Sequence, residues 1–168
     1  MLIRLSKILL LAASGFFLTL VVFNNLTDVQ SNWQFVKHVL AMDALKWEAA
    51  TEWRAIDSPI IHGLFFASII LWEAIAGVLC WWGAWRLWKT RSADAATFNR
   101  AKEIGVAGLV LSMLQWYVAF ISVGGEWFYM WASEWNGQDA AWRMFGIMGI
   151  SLIFLCMQDD DPAPVRAA

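Results

Sequence analysis

Apolar residues along this chain gather into four runs, Ile8 to Phe23, Pro59 to Trp82, Ile104 to Val123 and Ala140 to Met157, separated by segments that mix charge with aromatic rings. At 1.5 Å rise per residue, about 20 apolar residues cross the roughly 30 Å of bilayer hydrocarbon. Each run is therefore long enough to span most or all of a membrane. The first reaches full length only by including residues from Leu2 onward, with Arg4 and Lys7 extending their apolar stems toward head groups. The pattern predicts an all-α membrane protein: four transmembrane helices, at about residues 3–23, 59–82, 104–123 and 140–157, forming an antiparallel bundle over residues 1–158. Residues 159–168, acidic and proline-bearing with nothing to bury, read as a disordered tail.

Small and polar residues recur within the runs at steps of three and four. Gly105, Gly108, Ser112, Gln115, Ala119 and Ser122 fall on one face of the third span. Gly63, Ala67, Ile70, Ala74 and Gly77 follow the same spacing in the second, and Gly146 and Gly149 echo it in the fourth. In lipid, helices associate through such faces, because burying leucine gains little there; the stripes are assigned to helix packing. Two connecting segments also carry helical periodicity. Asn32 to Leu45 places Trp33, Val36 and Leu40 on one side and Gln34, Lys37 and His38 on the other. Gly125 to Asn136 spaces Trp127, Trp131 and Trp135 four apart, an aromatic ridge if the segment is helical. Both read as amphipathic interfacial helices in the outer loops.

Composition agrees with the pattern: 60% of the residues are hydrophobic and 13 are Trp, with mean hydropathy +0.54, too little polar surface for a soluble globule. The distribution of charge sets orientation. Arg4 and Lys7 precede the first span, and the Trp82 to Lys102 loop carries Arg86, Lys89, Arg91, Arg100 and Lys102 against Asp94. The other two loops are acidic. Excess Lys and Arg stay inside, so both termini are expected in the cytoplasm and the two acidic loops outside. The opening residues also fit a signal peptide, but apolar residues continue well past Ala12–Gly15, which favours an uncleaved helix. Cys80 and Cys156 fall near cytoplasmic ends and lack the spacing of a metal or redox pair; no disulfide is expected.

Glu73 is the one acid within a span. Counted from Pro59 it lies about 21 Å down, in the inner half of the bilayer, where an unpaired charge costs several kcal/mol. A hydrogen bond to Ser112 is its expected partner, ahead of a proton or substrate role. Arg143, about 6 Å below the outer face, is expected to clamp Glu126 or Glu134, or groups such as His62, Asp57, Asn24 and Asn25. His38 and Met42, four apart, with His62 at the top of the second span, could suit copper or haem iron. No cofactor is expected; haem or copper stands as the alternative. Phosphate loops, Gly-x-Ser-x-Gly elbows, CxxCH and HExxH motifs are absent. The basic inner loop follows from topology and anionic head groups, so no nucleic-acid partner is implied.

Residues Asn25 to Asp43 (NLTDVQSNWQFVKHVLAMD) and Gly124 to Gln138 (GGEWFYMWASEWNGQ) resemble the signatures of a proteobacterial family of predicted small integral membrane proteins, classed as a domain of unknown function. The similarity extends over about residues 1 to 157. It implies a four-span topology in a bacterial inner membrane and no established reaction, and no catalytic residue follows from it. The expected function is that of an accessory or assembly subunit. Its Trp-rich outer cap would meet lipid and another membrane protein, or a second copy of the chain, through Trp127, Trp131, Trp135, Glu126, Glu134 and Arg143. The alternative is a small redox or transport protein using His38, His62, Glu73 and Arg143.

The charge distribution yields a direct test. A topology reporter fused after Ala168 should be active only in the cytoplasm, and one inserted near Ala49 only outside. The reverse pattern would invert every assignment of face.

Overall fold

Without water to satisfy backbone groups, a chain crossing lipid is confined to helices or a closed barrel. The computed structural model, which describes residues 1–160, resolves that choice in favour of helices, with no strand among the described residues. Four segments are long and apolar enough to cross a membrane. They are α1 (Leu2–Thr27), α3 (Pro59–Thr90), a composite third crossing (Ala95–Trp127) and α6 (Gln138–Cys156). The third crossing joins α4 (Ala95–Ala101), capped by the Asp94 side chain on the Thr97 amide, to α5 (Glu103–Leu114). From Gln115 to Trp127 it continues as a wider π-type helix. The short helix α2 (Val29–Ala41) packs on α1 and α3. We call the end of the molecule that carries α2 the cap end, and the opposite end, where Met1 lies, the terminal end.

The crossings touch in the cyclic order α1, α3, α5, α6 and back to α1. Along α1 and α3 the pairings run Gly15 against Trp81, Leu18 against Gly77 and Asn25 against Glu73. The tightest approach is between α3 and α5. A methyl group on Gly83 would lie 2.5 Å from Gly105 Cα, and one on Gly108 2.8 Å from the Cys80 amide nitrogen. Leu11 of α1 fills the space against both Gly83 and Gly105, and with Ile8, Leu87, Leu109 and Leu155 it forms the main apolar core. Indole hydrogen bonds add interhelical ties: Trp72 Nε1 donates to the Leu111 carbonyl at 2.9 Å, and Trp81 Nε1 to Thr19 Oγ1 at 3.1 Å.

The buried faces differ from the expected stripes in instructive places. In α5 the face of Gly105, Gly108, Ser112 and Gln115 is buried as anticipated. Beyond Gln115 the wider helix rotates the sequence, so that Trp116, Ile121, Gly124 and Gly125 are buried instead. In α3 the interior face is His62, Glu73, Ala76, Gly77, Cys80, Gly83 and Leu87; of the predicted stripe Gly77 is buried, Gly63, Ile70 and Ala74 are partly so, and Ala67 is exposed. Large aromatic and polar side chains, rather than the small ones, face the interior at the cap end of α3. Gly146 meets nothing within 4 Å; α6 packs through Ala141, Met148, Ser151 and Leu155. The outward faces are apolar, with Leu64, Leu71, Ile75 and Val78 of α3 and Ile147, Ile150 and Ile153 of α6 exposed, as a lipid-facing surface requires.

The cap is only partly the structure anticipated. Helix α2 forms with Val36, Val39 and Leu40 buried, and ends at Met42 in the left-handed conformation. The second segment is no continuous helix. The π-type helix ends at Trp127, Tyr129 adopts φ 55°, and Met130–Ala132 is a single 3-10 turn. The chain then meets the first loop through the isolated bridge Leu45–Ser133 and the bond from Lys46 N to the Ala132 carbonyl, 3.1 Å. Phe128 and Met130 turn inward to pack on α2, and this reversal is what ends the helix.

The glycine contact gives a stability contrast. Gly83→Ala forces backbone against backbone and should cost about 2 kcal/mol or more in detergent unfolding. Gly146→Ala, with open space around it and a better helix former in place, should be neutral or stabilising by up to about 1 kcal/mol. Equal effects would rule out the Gly83–Gly105 approach as a packing determinant.

Candidate functional site

Glu73 lies near the midpoint of α3 and is 1% exposed. Asn25 Nδ2, in the last turn of α1, donates to Glu73 Oε2 at 2.8 Å, and Gln115 Nε2 donates to Oε1 at 3.0 Å. These two carboxamides replace the expected Ser112 partner; the Ser112 hydroxyl is buried with no hydrogen bond. Asn25 comes from the cap end of α1, so the contact joins the end of one crossing to the middle of another. Gln115 is the residue at which the third crossing widens, so the change of helix type occurs at the contact itself. Such widenings often accompany functional sites.

Two cavities meet at Glu73. One, about 250 Å³, runs from Glu73 and Trp116 to Asn32, Gly137 and Ala140 at the cap end, walled by Phe35, Phe66 and Phe120. The other, about 200 Å³, lies toward Thr19 and Trp81 between α1 and α3. Two buried polar atoms of the third crossing have no partner: Gln115 Oε1, on the side chain that bonds Glu73, and Trp116 Nε1, on a residue that lines the first cavity. Among the described residues no Lys, Arg or His approaches Glu73 as an ion pair.

The three cap tryptophans do not form one ridge. Trp127 meets Trp53 edge to face at 6.2 Å, and Trp131 meets Trp47 at 5.7 Å. Trp135 stacks on His38 at 4.8 Å and meets Phe35 edge to face at 6.5 Å. Each ring is thus paired with the loop between α2 and α3 or with α2 itself. Arg54 lies at the centre of the exposed part, its guanidinium 4.6 Å from the Trp127 ring and 5.7 Å from that of Tyr129, which in turn meets Trp131 at 5.9 Å. An unbroken series of rings therefore runs from Trp53 through Trp127, Arg54, Tyr129 and Trp131 to Trp47. The four tryptophans in it are between 43% and 74% exposed. Sequence spacing missed Arg54, because it contributes through its place in the folded loop and not through any motif.

The remaining candidates are dispersed. Arg143 is exposed on α6, and neither it nor Glu126 or Glu134 makes an ion pair among the described residues; the expected clamp is absent because Arg143 faces away from the bundle. His38 Nδ1 is 2.7 Å from Asp43 Oδ1. His62, 1% exposed, donates from Nε2 to the Ile56 carbonyl at 2.7 Å. Met42 is buried against the cap core. No group of three or more His, Cys, Asp or Glu placed to hold a metal occurs among the described residues.

A second polar cluster, at the terminal end, was not anticipated. Arg4 and Lys7 do not reach out to head groups. Lys7 Nζ and Lys102 Nζ contact Asp159 Oδ2 at 2.5 and 2.6 Å, and both donate to the Met157 carbonyl. Arg4 donates to the Arg91 and Ala93 carbonyls and lies 4.0 Å from Asp159. Asn99 Nδ2 donates to the Asp159 carbonyl at 2.9 Å. Asp159 is therefore no part of a frayed tail: it is 9% exposed and ties α1, α4 and the end of α6 together; the rest of the predicted tail, from residue 161, lies outside the described residues. Burial pushes the Asp159 carboxyl up, but the hydrogen bonds and charges of Lys102 and Lys7 outweigh it and hold the group below its ordinary value. The one sequence signal was the spacing of Arg4 and Lys7, which share a helix face.

Comparison with known proteins gives one match. A family model described as predicted small integral membrane protein (DUF2165) matches residues 3–158. No curated protein and no solved structure matches.

Asp159→Asn leaves the buried cations without a carboxylate and should cost about 3–5 kcal/mol. Because the folded carboxyl titrates below its unfolded value near 4, its contribution is complete above that value and is lost as pH falls through the folded one. Thermal unfolding in detergent at pH 7 and at pH 3 checks this: the gap between wild type and variant should be wide at pH 7 and narrower at pH 3. A gap independent of pH would contradict the ion-pair role.

Proposed function

We propose a function for a chain that belongs to this family of small integral membrane proteins: an accessory or assembly subunit of the bacterial inner membrane that docks on another membrane protein through its cap. The arrangement that goes with this reading is an antiparallel four-helix bundle, both termini cytoplasmic, with α2 at the outer interface. The opposed pairings of α1 and α3 support the first point, and the clustering of Arg4, Lys7 and Lys102 at the terminal end supports the second.

The observation that carries the docking role is the exposed series of rings centred on Arg54. Trp, Tyr and Arg are the residues that dominate binding energy at protein interfaces. Here they are drawn from two loops and fixed relative to each other by the Leu45–Ser133 bridge, so little order has to be imposed on binding. Tryptophans that only mark the membrane boundary do not need such a centre.

Gentle-detergent purification followed by mass spectrometry tests the reading. Trp53→Ala with Arg54→Ala should weaken recovery of the partner by about 2 kcal/mol or more, at unchanged abundance in the membrane. Undiminished recovery from that double variant and from Trp131→Ala would reduce the cap to a membrane anchor.

A further inference from the structure

The chamber at Glu73 includes none of the exposed rings around Arg54, and its chemistry is specific. Two neutral carboxamides hydrogen-bond the carboxylate, one to each oxygen, and no cation among the described residues balances it. The contrast with Asp159, which faces three cations, lies within one molecule. An ionised carboxylate buried in this way is costly without a counter-charge. The adjoining cavity is where a cation could meet it.

We propose that this cavity binds a small organic ammonium ion, of the size and type of choline, that enters from the cap end. Phe35, Phe66, Trp116 and Phe120 offer ring surfaces to a cation, and Glu73 supplies the charge at the floor. About 250 Å³ is the space of about eight water molecules at roughly 30 Å³ each, enough for a choline-sized ligand. Trp116, which lines the cavity, has a buried Nε1 without a partner, a donor for a hydroxyl oxygen. A hard inorganic cation fits poorly, because it requires about six or more oxygen ligands and most of this wall is hydrocarbon. A proton alone would need no such chamber. The cap-end residues Asn32, Gly137 and Ala140 give the route of access.

The test uses the full-length protein purified alone in detergent, so its outcome is independent of the docking reading. Choline chloride should raise the unfolding temperature saturably relative to sodium chloride at equal ionic strength. Glu73→Gln, which keeps the shape of the site but removes the charge and sets an NH2 group against one carboxamide donor, should weaken the choline midpoint about 100-fold. Phe66→Leu retains the carboxylate and removes one ring, and should weaken it about 3- to 30-fold. Identical curves in choline and sodium would overturn the proposal. So would a choline midpoint unchanged in Phe66→Leu, whether or not Glu73→Gln folds.

Discussion

The contact on which the bundle depends is the approach of two backbones at Gly83 and Gly105. In lipid no hydrophobic force draws helices together, so association rests on close packing and polar ties. With no Cβ between them, α3 and α5 come near enough for Leu11 of α1 to pack against both glycines. Three helices thus meet at one level, with Leu155 of α6 also against Gly105. From that level α3 and the third crossing run on toward the cap, where Gly108 against Cys80 continues the contact. There the interior residues become larger and polar, the third crossing widens at Gln115, and the two cavities open. Tight packing at one level and a chamber at the next are consequences of the same pair of helices.

Polar groups mark the two ends of this core in opposite ways. At the terminal end three cations converge on Asp159 and on backbone carbonyls, so each charge has partners and the helix ends are pinned. Near the middle a single carboxylate has neutral donors and no counter-charge. A buried polar network that is complete tends to rigidify; one left incomplete is costly and calls for an explanation. The unpartnered Ser112, Gln115 and Trp116 atoms all belong to the incomplete network's neighbourhood along the third crossing.

Much of this was legible in the sequence, and the failures have physical causes. Four apolar runs give four crossings because length and solvent suffice to decide them. The Gly105 stripe held as far as Gln115, since periodicity of an α-helix predicts a face only while the helix stays α. The Trp127–Trp135 ridge failed for the same reason: a spacing of four has meaning only inside one helix, and Tyr129 in a left-handed conformation ends it. Ser112 was on the right face to meet Glu73, but Asn25, from the end of a different helix, could be found only from the pairing of α1 with α3. Asp159 looked like tail because nothing in its own segment could bury it; the cations that do so, Lys7 and Lys102, stand far earlier in sequence.

Cap and chamber are joined by one side chain. Phe35 of α2 meets Trp135 edge to face on its cap side and stacks on Phe120 at 6.3 Å on the other. Gly137 is pressed against the same ring, so closely that a methyl group there would lie 2.8 Å from Phe35 Cζ. Phe35 and Gly137 both line the Glu73 cavity. A protein seated on the cap that shifted Trp135 would therefore displace a wall of the chamber, and a ligand that filled the chamber would fix the position of Phe35 and so of the cap. Coupling between two sites requires that each favour one arrangement of a shared element. In this molecule the shared element is α2, which ends at the reversal at Met42 and packs through Val36, Val39 and Leu40 on the same cluster that holds Phe35, Phe120 and Trp135.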